Sequence, residues 1–324
     1  MKRLLIFIVL TSLVFLVSTA QSQTLTWTAG GVGGGWYAIA GGISNIVNEK
    51  SGGITIKVIP GGGTVNPRLV DKGDCELGWG LPFLNVAAWN GEDPYDKKHP
   101  NLRAIAGGMS LNFFHFYVAA DSPIKTMDEI FKQKKALRIA ISPAGTSDEW
   151  VFRKVLAAYK TDYKELEAAG FKFFRGSYAE QASQFKDKNV DSVFTFLATP
   201  GAAVTEASIG RSLRFIHFSP EVLSSLKQYG IESGKIPAGT YPKAANADEE
   251  ITTAIAGSVI LVNKNVADDT AYRIAKVIHE NLDQFRKIHG SLAPYQLKDA
   301  VTGLGAIPLH PGAEKYYKEK GILK

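Results

Sequence analysis

The chain has 324 residues, 45% hydrophobic and 21% charged, the balance of an ordinary globular protein. Its formal charge of +6 is spread along the sequence, which mildly favours anionic partners and is too diffuse to indicate nucleic acid. Cys75 is the single cysteine, so an intrachain disulfide and a disulfide-stapled scaffold are excluded.

Residues 1–20 read as a signal peptide. Lys2 and Arg3 precede an apolar run from Leu4 that continues to Val17, and Ser18-Thr19-Ala20 offers small residues before a cut. A membrane-spanning helix needs ~20 apolar residues, so the run is short for an anchor; an uncleaved anchor is the alternative. No cysteine follows to carry a lipid. The mature chain is expected to start near Gln21, with its charge reduced to +4 once Lys2 and Arg3 leave. Export without disulfides points to a bacterial periplasm, and the remaining ~300 residues suit two domains.

From there the pattern is strand, glycine-rich turn, helix. Leu25–Thr28 alternates as a strand and enters Gly30-Gly31-Val32-Gly33-Gly34-Gly35. A helix is expected from Tyr37 to Glu49, with Ile39, Ile43, Ile46 and Val47 on one face. Ile54–Ile59 is a second strand, followed by Gly61-Gly62-Gly63-Thr64-Val65-Asn66 and a short helix from Pro67 to Lys72. Phe114–Val118 and Leu137–Ile141 are further strands, and the alternation predicts α/β domains with largely parallel sheets. Thr126/Glu129, Thr146/Glu149 and Ser177/Glu180 have capping-box spacing, and Asp269 to Lys287 reads as a long amphipathic helix.

Strand, glycines, helix is a way to build an anion site, because backbone amides at a helix N-terminus face the ligand. Gly33-Gly34-Gly35-Trp36-Tyr37-Ala38 also fits G-x-G-x-x-A, yet the second strand ends in Ile59-Pro60-Gly61 where a dinucleotide fold wants an acidic residue. Trp36 and Tyr37 would crowd a pyrophosphate. The glycines could instead serve only to turn the chain. The second loop and a third, Ser142-Pro143-Ala144-Gly145-Thr146-Ser147, follow strands in the same way. Capping alone would explain Thr146 or Ser147; three such loops facing one crevice explain the set better. Among nearby aromatics, Trp36 and Tyr37 sit at a turn and suit a pocket, whereas Phe113 and Phe114 suit the core. Trp79 belongs to the same group, and Tyr241 is a pocket or hinge residue.

Catalytic signatures are missing: no G-x-S-x-G, H-E-x-x-H or Walker-A lysine occurs. His99, His115, His217, His279, His289 and His310 are scattered without metal-ligand spacing, and neither a metal site nor a cofactor is expected. No enzyme is inferred. An exported α/β enzyme and an adhesion protein with an empty cleft are the readings from other classes.

Four stretches resemble a known family. Gly30-Gly31-Val32-Gly33-Gly34-Gly35-Trp36-Tyr37, Gly62-Gly63-Thr64-Val65, Pro237-Ala238-Gly239-Thr240-Tyr241-Pro242 and the segment Pro308 to Tyr317 are similar to those of TAXI-type solute-binding proteins, which serve tripartite ATP-independent periplasmic (TRAP) transporters. The resemblance implies a two-lobed periplasmic binding fold of the second type, α/β, with two crossover strands and a cleft between lobes. It places residues 21–119 with 259–324 in one lobe and 120–258 in the other, crossing near Ala119-Ala120-Asp121 and again near Ser258–Val262. It implies a small organic anion, either a carboxylate or an amino acid, handed by a monomeric receptor to membrane permease subunits. A receptor of an ABC importer is the alternative.

The ligand-binding set expected is Gly33, Gly34, Gly35, Trp36 and Tyr37, Gly63 and Thr64, Trp79, Gly145, Thr146, Ser147, and Tyr241. Arg68, Arg138 and Arg175 are candidate carboxylate clamps. The family usually has Thr at Val32, Tyr at Trp36, Ser-Val-Glu-Asn from Thr64, Gln near Leu81 and Pro-Gly-Ser-Gly-Thr from Pro143. These departures replace polar pocket groups with bulkier apolar ones, which implies a guest with an apolar or aromatic body.

Overall fold

The structure, a computed structural model, describes residues 23–32 and 34–324; the expected signal peptide and Gly33 lie outside the described residues. The strands are β1 (Gln23–Thr28), β2 (Ile54–Ile59), β3 (Leu77–Gly80), β4 (Leu102–Ala119), β5 (Arg138–Ile141), β6 (Lys172–Arg175), β7 (Ser192–Ala198), β8 (Leu213–Phe215), β9 (Glu232–Ile236) and β10 (Ile251–Asn263). Helices α1 (Gly35–Lys50), α2 (Asn66–Lys72), α3 (Pro82–Asn90) and α4 (Met127–Phe131) come from the first half. After β5 follow α5 (Ser147–Ala158), α6 (Tyr163–Ala168), α7 (Tyr178–Lys186), α8 (Ala202–Gly210), α9 (Pro220–Lys227), α10 (Asp268–Glu280), α11 (Leu282–Arg286) and α12 (Pro311–Glu319).

Among the described residues these strands form one sheet in the order β2-β1-β3-β10-β4-β7-β5-β6, with β8 on β4 and β9 on β10. The flanks are parallel, β2-β1-β3 on one side and β7-β5-β6 on the other. The centre is antiparallel and is built by the two longest strands. The first part of β4 pairs with β10 up to Phe113, and from Asn112 onward it pairs with β7. Strand β10 likewise lies beside β9 over Ile251–Ile255 and beside β3 over Val259–Val262. Register shifts fall between Ala256 and Ser258 and again after it, where the pairing changes.

Apolar faces decide where the helices pack. Ile39, Ile43, Ile46 and Val47 of α1 are buried with Ile274 and Ile278 of α10 and Tyr316 and Tyr317 of α12. Around β4, β5 and β7 a second core joins Phe114, Phe116, Phe152 and Phe194.

Three differences from the sequence reading have clear causes. The strand expected over Phe114–Val118 extends back to Leu102, because Gly107 and Gly108 interrupt the apolar pattern without ending the strand. They are glycines by necessity: a Cβ on Gly107 would lie 2.1 Å from the Thr302 carbonyl oxygen, and Gly108 has φ +58 with its Cβ position 2.5 Å from the Asp299 carbonyl oxygen. The helix expected from Asp269 to Lys287 is broken at Asn281, whose backbone leaves the helix at φ −124, ψ 35. Its Nδ2 donates to the Val277 carbonyl, and its Oδ1 accepts from Lys50 on α1 at 2.7 Å. Capping boxes close at Thr126/Glu129 and Ser177/Glu180. At Thr146 only the hydroxyl bonds, since Glu149 turns to Arg153 and Tyr163.

Gly108→Ala is expected to destabilise the protein by about 2 kcal/mol or more, from a left-handed backbone and a backbone clash together. Chemical denaturation reads it directly; an unchanged midpoint would mean that the segment Leu297–Val301 does not press on β4.

Candidate functional site

A cavity of about 430 Å³ opens where the strands end and helices begin. Its lining includes Gly34, Gly35 and Trp36 at the start of α1, Ser147 and Asp148 at the start of α5, Tyr178 and Ala179 at the start of α7, and Ala202 and Ala203 at the start of α8. Gly61, Gly62 and Gly63 close it from the loop after β2, and Asn112 from β4. The first amides of a helix have no acceptor within the helix, and each helix carries roughly half a positive charge at that end. Four such ends surround one cavity.

The two glycine loops of the first half are fastened by Asn66, which is fully buried. Its Nδ2 donates to the carbonyls of Ala29 (2.7 Å) and Trp79 (2.9 Å). Its Oδ1 accepts from the Gly62 amide (2.8 Å) and the Thr28 hydroxyl (2.9 Å). Both donors and both lone pairs are used. Gly61 has to be glycine here, because its Cβ would lie 2.3 Å from Asn66 Oδ1.

Trp36 forms the aromatic wall. Its Nε1 donates to Ser258 Oγ at 2.9 Å, and Ser258 also accepts from Asn112 Nδ2 at 3.0 Å while donating to the Ser110 carbonyl. A cavity residue from the first loop and another from β4 are thus tied to β10 where its pairing changes. Phe196 and Leu197, at the end of β7, supply further apolar surface.

The loops after β2 and β5 touch across the cavity. Thr64 Oγ1 donates to the Gly145 carbonyl, and a Cβ on Gly63 would come within 2.8 Å of Ser147 Cβ. Beside them, Phe83 of α3 stacks on Trp150 of α5 at 5.5 Å, and Asp93 accepts from Trp150 Nε1 (2.9 Å) and Lys154 (2.8 Å).

Of the residues expected to bind a ligand, the structure brings Gly34, Gly35, Trp36, Gly63, Thr146 and Ser147 to the cavity wall. Thr64 and Gly145 meet each other at its edge. Tyr37 is half-buried and packs against the core shared by α1, α10 and α12 instead. Trp79 is fully buried behind Trp36, stacked at 5.9 Å, with its Nε1 donating to the Trp36 carbonyl. Tyr241 is buried too: its hydroxyl accepts from the Gly201 amide, at the cap of α8, and bonds His115 Nε2 at 2.8 Å. Burial pushes His115 down to about 3, so that imidazole is neutral. Trp79 and Tyr241 support the wall from behind.

None of the three arginines reaches the cavity. Arg68 donates to the Pro94 carbonyl, Arg138 pairs with Asp191 at 2.6 Å, and Arg175 lies 3.7 Å from Glu149. Among the described lining residues the charged side chains are Asp148 and Glu206, both acidic. Asp148 is buried and accepts from the Ser142 hydroxyl. Burial raises its carboxyl to about 6, with the Ser142 hydrogen bond pulling the other way. Sequence reading placed Asp148 only inside a capping motif. It missed Asn112, Phe196 and the α8 end, although Pro200-Gly201 between strand and helix repeats the signal of the first three loops.

A carboxyl whose folded value lies above its unfolded value binds extra protons in the native state. Stability therefore falls as pH rises from about 4 to about 6, and the full penalty, on the order of 3 kcal/mol, persists above that. Asp148→Asn is expected to melt higher than wild type at pH 7.5 without ligand, and the gap should shrink toward pH 4.5. A gap independent of pH would show that Asp148 is not desolvated.

Several solved structures share this architecture. MatC from Rhodopseudomonas palustris, solved with bound malate, is 12% identical; 94% of this chain and 99% of that one superpose with a TM-score of 0.55. The periplasmic binding protein BugD is 12% identical over 92% of this chain and 98% of its own, with a TM-score of 0.52. A protein described as a periplasmic transporter is also 12% identical, covering 94% of both chains at a TM-score of 0.51. At such identity the likeness establishes the fold, the two-lobed α/β architecture of periplasmic solute-binding proteins. No described helix is long and apolar enough to cross a membrane. A family model described as the NMT1-like family matches residues 27–321, and the chain belongs to the NMT1-like family.

Proposed function

We propose that this protein is a periplasmic receptor that closes two lobes on a small organic anion with an apolar or aromatic body and delivers it to a membrane transporter. The observation that carries the reading is the cavity: four helix N-termini surround it, Trp36 and Phe196 wall it, and both halves of the chain contribute. Carboxylate oxygens would take the free amides, and the body of the guest would lie against the aromatic surface.

Residues 21–119 with 259–324 form one lobe and 120–258 the other in this proposal. Strands β4 and β10 exchange partners near Asn112 and Ala256, so the hinge of this proposal falls a few residues before the crossings expected near Ala119–Asp121 and Ser258–Val262. A guest that touches both lobes favours the closed form by its differential contacts. The four stretches similar to TAXI-type proteins support a TRAP-type permease as the recipient. A neighbouring gene for an ATPase would point to an ABC importer instead.

Calorimetric titration with benzoate, phenylacetate, indole-3-acetate, malate and glutamate tests the reading. An aromatic acid is expected to bind most tightly; glutamate or malate binding best would contradict the aromatic body, and no binding at all would contradict the anion receptor. In the same assay Gly63→Ala should weaken binding at least tenfold, because its methyl group would meet Ser147 across the cleft and hold the two loops apart. Wild-type affinity in that variant would mean that closure does not bring these loops together.

A further inference from the structure

The cleft holds a buried acid in a place meant for an anion. Ser142 Oγ accepts from Gln181 Nε2 at 3.0 Å, and Gln181 also donates to the Gly176 carbonyl at 2.9 Å. The Ser142 hydroxyl in turn donates to Asp148 Oδ2. With Oδ2 accepting, a proton taken up by the carboxyl would sit on Oδ1.

Among the described residues no cation compensates Asp148. On its own helix, Glu149 is engaged by Arg153 at 3.4 Å and Tyr163 at 3.1 Å. Arg175, from β6, also turns to Glu149. From α7, the Tyr178 hydroxyl donates to the Phe196 carbonyl. Glu206, from α8, lies at the rim and pairs with Lys186 at 2.6 Å. The facing loops, residues 30–36 and 61–63, carry no charged side chain. A carboxylate entering this cavity would set a second negative charge beside Asp148 with little water between them. Two carboxylates in such a site share one proton.

We propose that Asp148 receives an anionic guest as the neutral carboxyl, so that one proton enters the cleft from solvent together with the guest. This rests on the anion-receptor reading above. The proton forms an O–H bond on Asp148, whose hydrogen is then donated to a guest oxygen, and the cavity gains no net charge. Burial already holds the Asp148 carboxyl near 6, so little acidification is needed to load it. A guest with an ammonium group would use Asp148 in the opposite sense, as an ionised partner, and would take up no proton.

The test is calorimetry with the same five acids at pH 6.5, 7.5 and 8.5, in phosphate and in Tris, whose ionisation heats differ. The dependence of binding heat on buffer counts the protons. The expected result is an uptake near one per guest, with affinity falling by up to about tenfold for each pH unit above about 6. Asp148→Asn should abolish the uptake and flatten the pH profile. Binding with no uptake, with proton release, or with wild-type uptake in the Asn variant overturns the inference and leaves the receptor reading standing. If none of the acids binds, the receptor reading fails and the inference falls with it. Should the variant not fold, the wild-type proton count alone decides.

Discussion

A carboxylate, the guest proposed for this cleft, needs on leaving water either a basic side chain or oriented hydrogen-bond donors, and the described lining carries no basic side chain. Helix N-termini can be aimed at one point only if their strands end at one edge, which an open α/β sheet provides. The parallel flanks of the sheet do this twice, with β1 and β2 on one side and β5, β6 and β7 on the other. Glycines then bring the main chain close enough for its amides to serve. At Gly61 and Gly63 a single methyl group would collide with Asn66 or Ser147.

Packing fixes the loops around the cavity. Asn66 locks both glycine loops to β3, so they shift as one body. Trp36 is held from behind by Trp79 and from the side by Ser258. Across the cleft the contacts are the Thr64 hydroxyl on Gly145, Asp93 on Trp150 and Lys154, and the stack of Phe83 on Trp150. A neutral hydrogen bond of this kind contributes about 1 kcal/mol.

The strand–glycine–helix units were legible because each carries a local signal. Gly34, Gly35, Trp36, Gly63, Thr146 and Ser147 reach the wall as their loops suggested. Tyr37 did not, because helix α1 begins at Gly35, two residues earlier than its apolar stripe indicated, so adjacent aromatics point to different sides. Trp79 and Tyr241 were chosen as aromatics near a loop, and burial is a tertiary property that no spacing reveals. The antiparallel centre was only partly legible. Gly107-Gly108 masks the length of β4, and β8 is a three-residue strand whose partner, β4, lies far off in sequence. Asp148 was hidden for another reason: an acid in the first turn of a helix reads as a capping group until its burial is known.

The most direct measurement of the central claim is a crystal structure of the protein with a bound organic acid. The account predicts the carboxylate oxygens within hydrogen-bond distance of first-turn amides at α1, α5, α7 or α8, with the body against Trp36. An acid held instead by Arg68, Arg138 or Arg175, with the cleft empty, would contradict it.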